Sequence, residues 1–217
     1  MKYNWLKPVV VAASIAIPLT SMADVSGYLS STLTEPTGSS EDTGLIFELG
    51  LLYEAESGFY TGLSLTSNDV LDSDTKAKNS TAEIGVGFFN ELSDVSFYDL
   101  GLTYERQLNN SEKEEIPEVY FGLGYSVTEA LELSGYVYKN IRSSFDESRV
   151  ELNLEFDAGM VDLMSFYTHG FEDDKTRLLE VGVGKEFIPN NYISAIYGAD
   201  LRTSRDSYLE IEYTYSF

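Results

Sequence analysis

The 217-residue sequence predicts an all-β fold, a transmembrane antiparallel up-and-down β-barrel of twelve strands. Three observations predict it. Runs of about ten residues alternating apolar with polar recur along the chain, as barrel strands crossing a bilayer require. Short and long connections alternate between the runs. Hydrophobic residues make up 43% and aromatic residues 13% of the chain, yet no stretch after residue 23 holds the 18 consecutive apolar residues of a membrane helix.

The first segment is set apart from the fold. Lys2 and Lys7 precede a nearly all-apolar run from Val9 to Leu19, and Ser21-Met22-Ala23 has the small-x-small form of a cleavage site. Residues 1–23 are therefore expected to be a secretory signal peptide, with the barrel occupying 24–217. Without Lys2 and Lys7, 12 basic residues stand against 36 acidic ones, a net charge of −24 that opposes nucleic acid as a partner. Cysteine is absent, so no disulfide stabilises the fold.

In chain order the expected strands are about 25–35, 44–55, 58–67, 81–90, 95–107, 117–127, 131–141, 149–158, 160–170, 177–187, 192–202 and 207–217. Ten strands is the alternative count. Links after the even strands are tight: Glu56-Ser57, Glu91 to Asp94, Thr128 to Ala130, Gly159, and Pro189 to Asn191. Links after the odd strands are longer and charged, as in residues 35–42, 68–79 and 109–116. Short periplasmic turns with long extracellular loops, and both termini in the periplasm, have this arrangement.

The period within strands is two. In the eighth, Val150, Leu152, Leu154 and Phe156 alternate with Arg149, Glu151, Asn153, Glu155 and Asp157; in the sixth, Val119, Phe121, Leu123, Tyr125 and Val127 alternate with Tyr120, Gly122, Gly124 and Ser126. Alternate side chains leave opposite faces of a sheet. Aromatics near strand ends, such as Tyr53, Phe59, Phe88, Tyr98, Tyr125 and Phe187, match interfacial girdles, so the apolar face is assigned to lipid and the polar face to the lumen. In the fifth, seventh and ninth strands both parities remain open.

That assignment puts Glu48, Glu83, Glu118, Glu132, Glu151, Glu155, Glu180, Asp200, Glu210 and Glu212 on the pore wall, with Arg149 and Arg202 as the main basic residues and Arg177 as a further counter-ion. A wall of carboxylates concentrates cations. The same carboxylates also suit a merely hydrated polar face. Inward glycines, among them Gly50, Gly87, Gly122, Gly124, Gly184 and Gly198, either widen the bore or let a neighbouring aromatic lie flat. Inward Tyr28, Tyr60, Tyr120, Tyr136 and Tyr138 either offer stacking surfaces or fill the space.

No cofactor or metal is expected: Asp72-Ser73-Asp74 lacks the glycine and distal glutamate of a calcium loop. His169, the one histidine, and Ser165 sit roughly 13 Å apart along a single strand, at about 3.3 Å per residue, too far for a nucleophile and base in contact. The expected function is an outer-membrane porin for passive diffusion of small solutes, not an enzyme. An oligosaccharide-specific porin, a structural or adhesive barrel and an outer-membrane lipid hydrolase are the alternatives.

Several stretches, ESGFYTGLSLTSNDV (56–70), YDLGLTYE (98–105), PEVYFGLGYS (117–126) and LEVGVGKEF (179–187), resemble the TorF-type porin family of proteobacteria. The resemblance implies a small exported β-barrel without catalytic residues. Size and strand number are also similar to the oligogalacturonate-specific porins, whose pores are expected to be basic, which this sequence is not. The terminal alternation with Tyr213, Tyr215 and Phe217 resembles the signal read by the barrel assembly machinery. Expected partners are that machinery, outer-membrane lipid and lipopolysaccharide, and small solutes.

Overall fold

A computed structural model describes residues 24–37, 43–67, 70–71, 80–108, 115–142, 148–171, 177–202 and 207–217. Residues 1–23 and most of the long connections lie outside them. Twelve strands follow in order: β1 (Asp24–Pro36), β2 (Gly44–Glu54), β3 (Phe59–Thr66), β4 (Thr81–Ser93), β5 (Ser96–Gln107), β6 (Glu115–Thr128), β7 (Leu131–Asn140), β8 (Ser148–Asp157), β9 (Asp162–Gly170), β10 (Arg177–Ile188), β11 (Asn191–Asp200) and β12 (Ser207–Ser216). Each is antiparallel to the next, and β12 pairs β1 from Tyr28↔Ser216 to Pro36↔Tyr208, closing the sheet. Gly27 and Phe217 exchange two backbone hydrogen bonds of 2.9 Å at the seam. Closure leaves no unpaired edge, which a sheet in lipid requires.

The tight connections follow even strands and gather with both strand termini at one end. Gly58 takes a φ of 86° in the β2–β3 turn, donates to the Ala55 carbonyl at 2.9 Å, and accepts from the Phe89 amide at 2.9 Å. A side chain there would be in the left-handed region and against the Phe89 carbonyl. Asn190 holds a φ of 68° in the β10–β11 turn, where its amide donates to the Glu186 carboxylate at 2.9 Å. Register shifts at Glu91/Ser93, Ser126/Thr128 and Glu186/Ile188 flank three of these turns. Such bulges carry pairing round a barrel rim, and β4, β6 and β10 accordingly run further than their alternation predicts.

One parity of each strand carries the exposed large apolar residues. Leu49 and Leu51 of β2, Ile84 and Val86 of β4, Phe121 and Leu123 of β6, and Val181 and Val183 of β10 all face outward, Phe121 and Leu123 at 47% and 49% exposure. A surface this apolar is stable in hydrocarbon and would drive aggregation in water. Outward rings bracket it: Tyr53, Phe59, Phe88, Tyr98, Tyr125, Phe156 and Phe187 towards the short-turn end, and Phe47, Tyr104, Tyr167 and Tyr197 towards the other. Phe88 stacks on Tyr98 with centroids 6.3 Å apart. Register settles the three open strands: Leu100 and Leu102 of β5, Leu133 and Val137 of β7, and Leu163 of β9 are the outward residues.

The inner parity is small, polar or aromatic. Seven inward glycines each lie under a ring from a neighbouring strand: Gly50 under Tyr28, Gly87 under Tyr60, Gly101 under Tyr120, Gly122 under Tyr136, Gly124 under Phe97, Gly184 under Tyr192 and Gly198 under Tyr208. The glycines therefore hold aromatic rings flat against the wall rather than widening the bore. Met164, Phe166, Tyr192 and Ile196 form a compact apolar cluster on the inside of β9 to β11, with Ile196 only 1% exposed.

Candidate functional site

The interior wall is where this sheet concentrates its charge. Cross-strand partners share a face, and directly opposed pairs of carboxylates include Glu83↔Glu105, Glu132↔Glu155 and Asp157↔Asp162, with Asp24↔Glu54 in register at the start of β1. Like charges in that position destabilise a sheet. Glu83 is also within electrostatic reach of Glu48 and Glu118. Glu155 adds Asp162 to the reach of Glu132.

Glu48, Glu83, Glu118, Glu132, Arg149, Glu151, Glu155, Glu180, Asp200, Glu210 and Glu212 all occupy the parity opposite the exposed apolar set. Arg202 stands past the last residue of its strand and not within it. β11 ends at Asp200, and Arg202 folds back to it from the following turn with a 3.0 Å ion pair. Arg177 is no interior counter-ion: it shares the outward face with Val181 and Val183. Among the described strands Arg149 is the one inward lysine or arginine.

Arg149 is firmly held. Its Nη1 donates to Glu118 Oε1 at 2.5 Å and its Nε to Glu151 Oε1 at 2.8 Å. The guanidinium carbon stands 4.0 Å from the Tyr138 ring centroid, a cation–π distance. Glu118 and Glu151 are both nearly buried, so the guanidinium supplies charge that water does not.

Tyrosine hydroxyls anchor other wall carboxylates. Tyr60 donates to Asp99 at 2.6 Å and also meets the Tyr120 hydroxyl. Tyr28 donates to Glu48, and Tyr208 to Glu180 at 2.6 Å. Tyr192 reaches Asp162 at 3.2 Å. Tyr60, Tyr192 and Tyr208 each lie over a glycine of the neighbouring strand and present the hydroxyl to an acid on the strand beyond, whereas Tyr28 lies over Gly50 and meets Glu48 on that same strand. Tyr120 and Tyr138 have centroids 5.7 Å apart, extending the aromatic surface towards Arg149. Sequence alternation finds these carboxylates individually; their grouping by register across strands far apart in sequence has no local signal.

Ser165 and His169 lie on the outward face of β9, with His169 stacked on Tyr167 at 6.4 Å and edge-on to Phe171 at 5.0 Å. That is an interfacial aromatic ladder. Among the described residues no group of His, Cys, Asp and Glu is arranged to hold a metal ion.

The closed twelve-strand barrel is the architecture of small porins. Superposed on the KdgM porin, the chain gives a TM-score of 0.66 at 12% identity, covering 88% of this chain and 99% of that one. The same values hold for the KdgM porin in complex with disordered oligogalacturonate. The NanC porin gives 0.62 at 12% identity over 87% of this chain and 98% of that one. The barrel has the KdgM and NanC fold. No protein-family model and no curated protein sequence matches the chain.

Proposed function

We propose that the protein is an outer-membrane channel through which small solutes diffuse passively, with an inner wall that favours cations. The observation that carries the cation preference is the set of facing carboxylate pairs, Glu83↔Glu105, Glu132↔Glu155 and Asp157↔Asp162 among them, on an inner face whose described strands supply one guanidinium, Arg149. Opposed carboxylates are tolerable where lumen water and mobile cations screen them, and the same field enriches those cations in the bore. The described strands do no chemistry on the solute; they set bore and charge.

The stretches at 56–70, 98–105, 117–126 and 179–187 support a place beside the TorF-type porins within this architecture. Export through residues 1–23, assembly by the machinery that reads Tyr213, Tyr215 and Phe217, and contact with lipopolysaccharide belong to the same reading.

An oligosaccharide-specific channel is the second reading, favoured by the interior tyrosines around Tyr120 and Tyr138. The KdgM structure contains oligogalacturonate, whose sugars carry carboxylates. An acidic wall repels such a chain, so a saccharide passing here would be neutral. Planar-bilayer recording of the purified chain decides between conduction and a plugged adhesive barrel: discrete openings are expected, and silence sinks the channel. In a KCl gradient the reversal potential is expected to report cation preference; an anion preference overturns the role given to the wall. A neutral oligosaccharide that blocks the current at low concentration favours the second reading.

A further inference from the structure

Among the described residues, the lipid-facing surface gathers most of its basic side chains on one arc of one rim. Arg106 shares its face with Leu100 and Leu102, Lys139 with Leu133 and Val137, and Arg177 with Val181 and Val183, so all three point outward. Each lies within two residues of the long-connection end of its strand, β5, β7 or β10. Arg142, just past β7, donates to Glu115 Oε2 at 2.6 Å, and Glu115 is the direct cross-strand partner of Arg106. His169 of β9 is the direct partner of Arg177.

The rest of the barrel's outer surface lacks this feature among the described residues. Outward positions at the same end are Glu35 on β1, Leu45 on β2, Leu65 on β3, Ala82 on β4, Ala199 on β11 and Ser207 on β12. Towards the short-turn end Lys185 is the one outward basic residue in a strand. Basic side chains that merely kept their charged heads in water would be spread round both rims. Here, among the described residues, three of the four outward lysines and arginines in strands lie at the long-connection end of β5, β7 and β10, in a chain whose formal net charge is −22.

We propose that this arc binds the phosphate groups of a phosphorylated glycolipid in the leaflet at the long-connection end. Arginine forks match phosphate oxygens, and the apolar belt directly below accepts acyl chains. The Tyr104 hydroxyl bonds to Glu115, and Tyr167 and Phe171 flank His169, so aromatic rings accompany both ends of the arc, as interfacial rings do. Glu115 holds Arg142 beside Arg106 at one end of the arc. The inference rests on the barrel spanning a membrane and not on its conducting ions, so a silent bilayer recording leaves it standing.

The test folds the full chain into phosphatidylcholine vesicles containing either diphosphoryl lipid A or its dephosphorylated counterpart, and counts retained glycolipid by native mass spectrometry. Preferential retention of the phosphorylated lipid is expected, weakening with added salt. The triple variant Arg106→Gln/Arg142→Gln/Arg177→Gln is expected to lower that preference roughly tenfold or more, and Lys185→Gln to leave it unchanged. Should the triple variant fail to fold, judged by loss of heat-modifiable gel migration, Arg177→Gln alone is expected to lower it by roughly threefold. Equal retention of the two lipids, a folded charge variant that retains as wild type does, or a loss in Lys185→Gln equal to that of the triple variant each overturns the proposal.

Discussion

Arg149 of β8 reaches across β7 to donate its Nη1 to the Glu118 carboxylate of β6 at 2.5 Å. The intervening strand contributes Tyr138, whose ring lies beneath the guanidinium at 4.0 Å. One positive charge thus ties three consecutive strands on a wall otherwise dominated by carboxylates.

Replacing it should separate structure from selectivity. Arg149→Gln leaves Glu118 and Glu151 without their counter-charge, so the barrel is expected to lose about 1–3 kcal/mol, less than in a dry core because the lumen supplies water. Reversal potential in a KCl gradient should move towards stronger cation preference. An unchanged reversal potential in a folded, conducting variant would remove Arg149 from the selectivity of the wall.

Acidification should act in the opposite sense. As pH falls the wall carboxylates bind protons and lose charge, whereas Arg149 keeps its own. Cation preference is therefore expected to decline steadily with pH, and a reversal potential that is flat from neutral to strongly acidic conditions contradicts an acidic conduction path.

The glycines under rings can be told apart from glycines in open space. At Gly122 a Cβ would collide with the Tyr136 ring, while at Gly85 it would meet nothing closer than Thr103 Cγ2 at 3.7 Å. Gly122→Ala is expected to cost about 1–3 kcal/mol and Gly85→Ala to be close to neutral. Urea titration of the folded barrel in lipid, read by heat-modifiable migration, checks the difference; equal midpoints would mean the ring moves freely.

Depth in the bilayer should be readable from charge. Phe121 lies midway along β6 on the outward face, whereas Val25 lies at the short-turn end of β1. Phe121→Arg is expected to destabilise by about 2–4 kcal/mol and Val25→Arg by about 0–1 kcal/mol. The same unfolding measurement in vesicles would contradict a spanning barrel if the two costs were equal.

Removing Phe217 takes away both backbone hydrogen bonds to Gly27 and the ring stacked 6.1 Å from Tyr215. Slower conversion to the folded form is expected in refolding experiments followed over time, with β1–β12 closure as the affected step. Wild-type rates in the deletion would show that the seam closes without it.

Most strands were legible because a lipid-facing barrel writes a period of two into its own sequence. In β8 and β12 nearly every outward residue is apolar and nearly every inward one polar, so local alternation suffices. It fails in β5, β7 and β9, where aromatics and small residues occur on both faces: Phe97 and Tyr98, or Tyr136 and Val137, do not declare which looks at lipid. Pairing to unambiguous neighbours settles them. Arg202 lies just past the end of β11, and its guanidinium turns back to the inward Asp200, a contact that alternation alone does not show.

By itself the sequence determined that the chain would close as a membrane barrel of about twelve strands with an acidic inner face, because solvent contrast acts on each strand separately. Only the tertiary structure decided which acids face one another, which glycine lies beneath which tyrosine, and that Arg177 points to lipid while Arg149 points inward. Those relations depend on register between strands, and register is a property of the closed sheet, in which a slip of one residue turns every side chain to the opposite face.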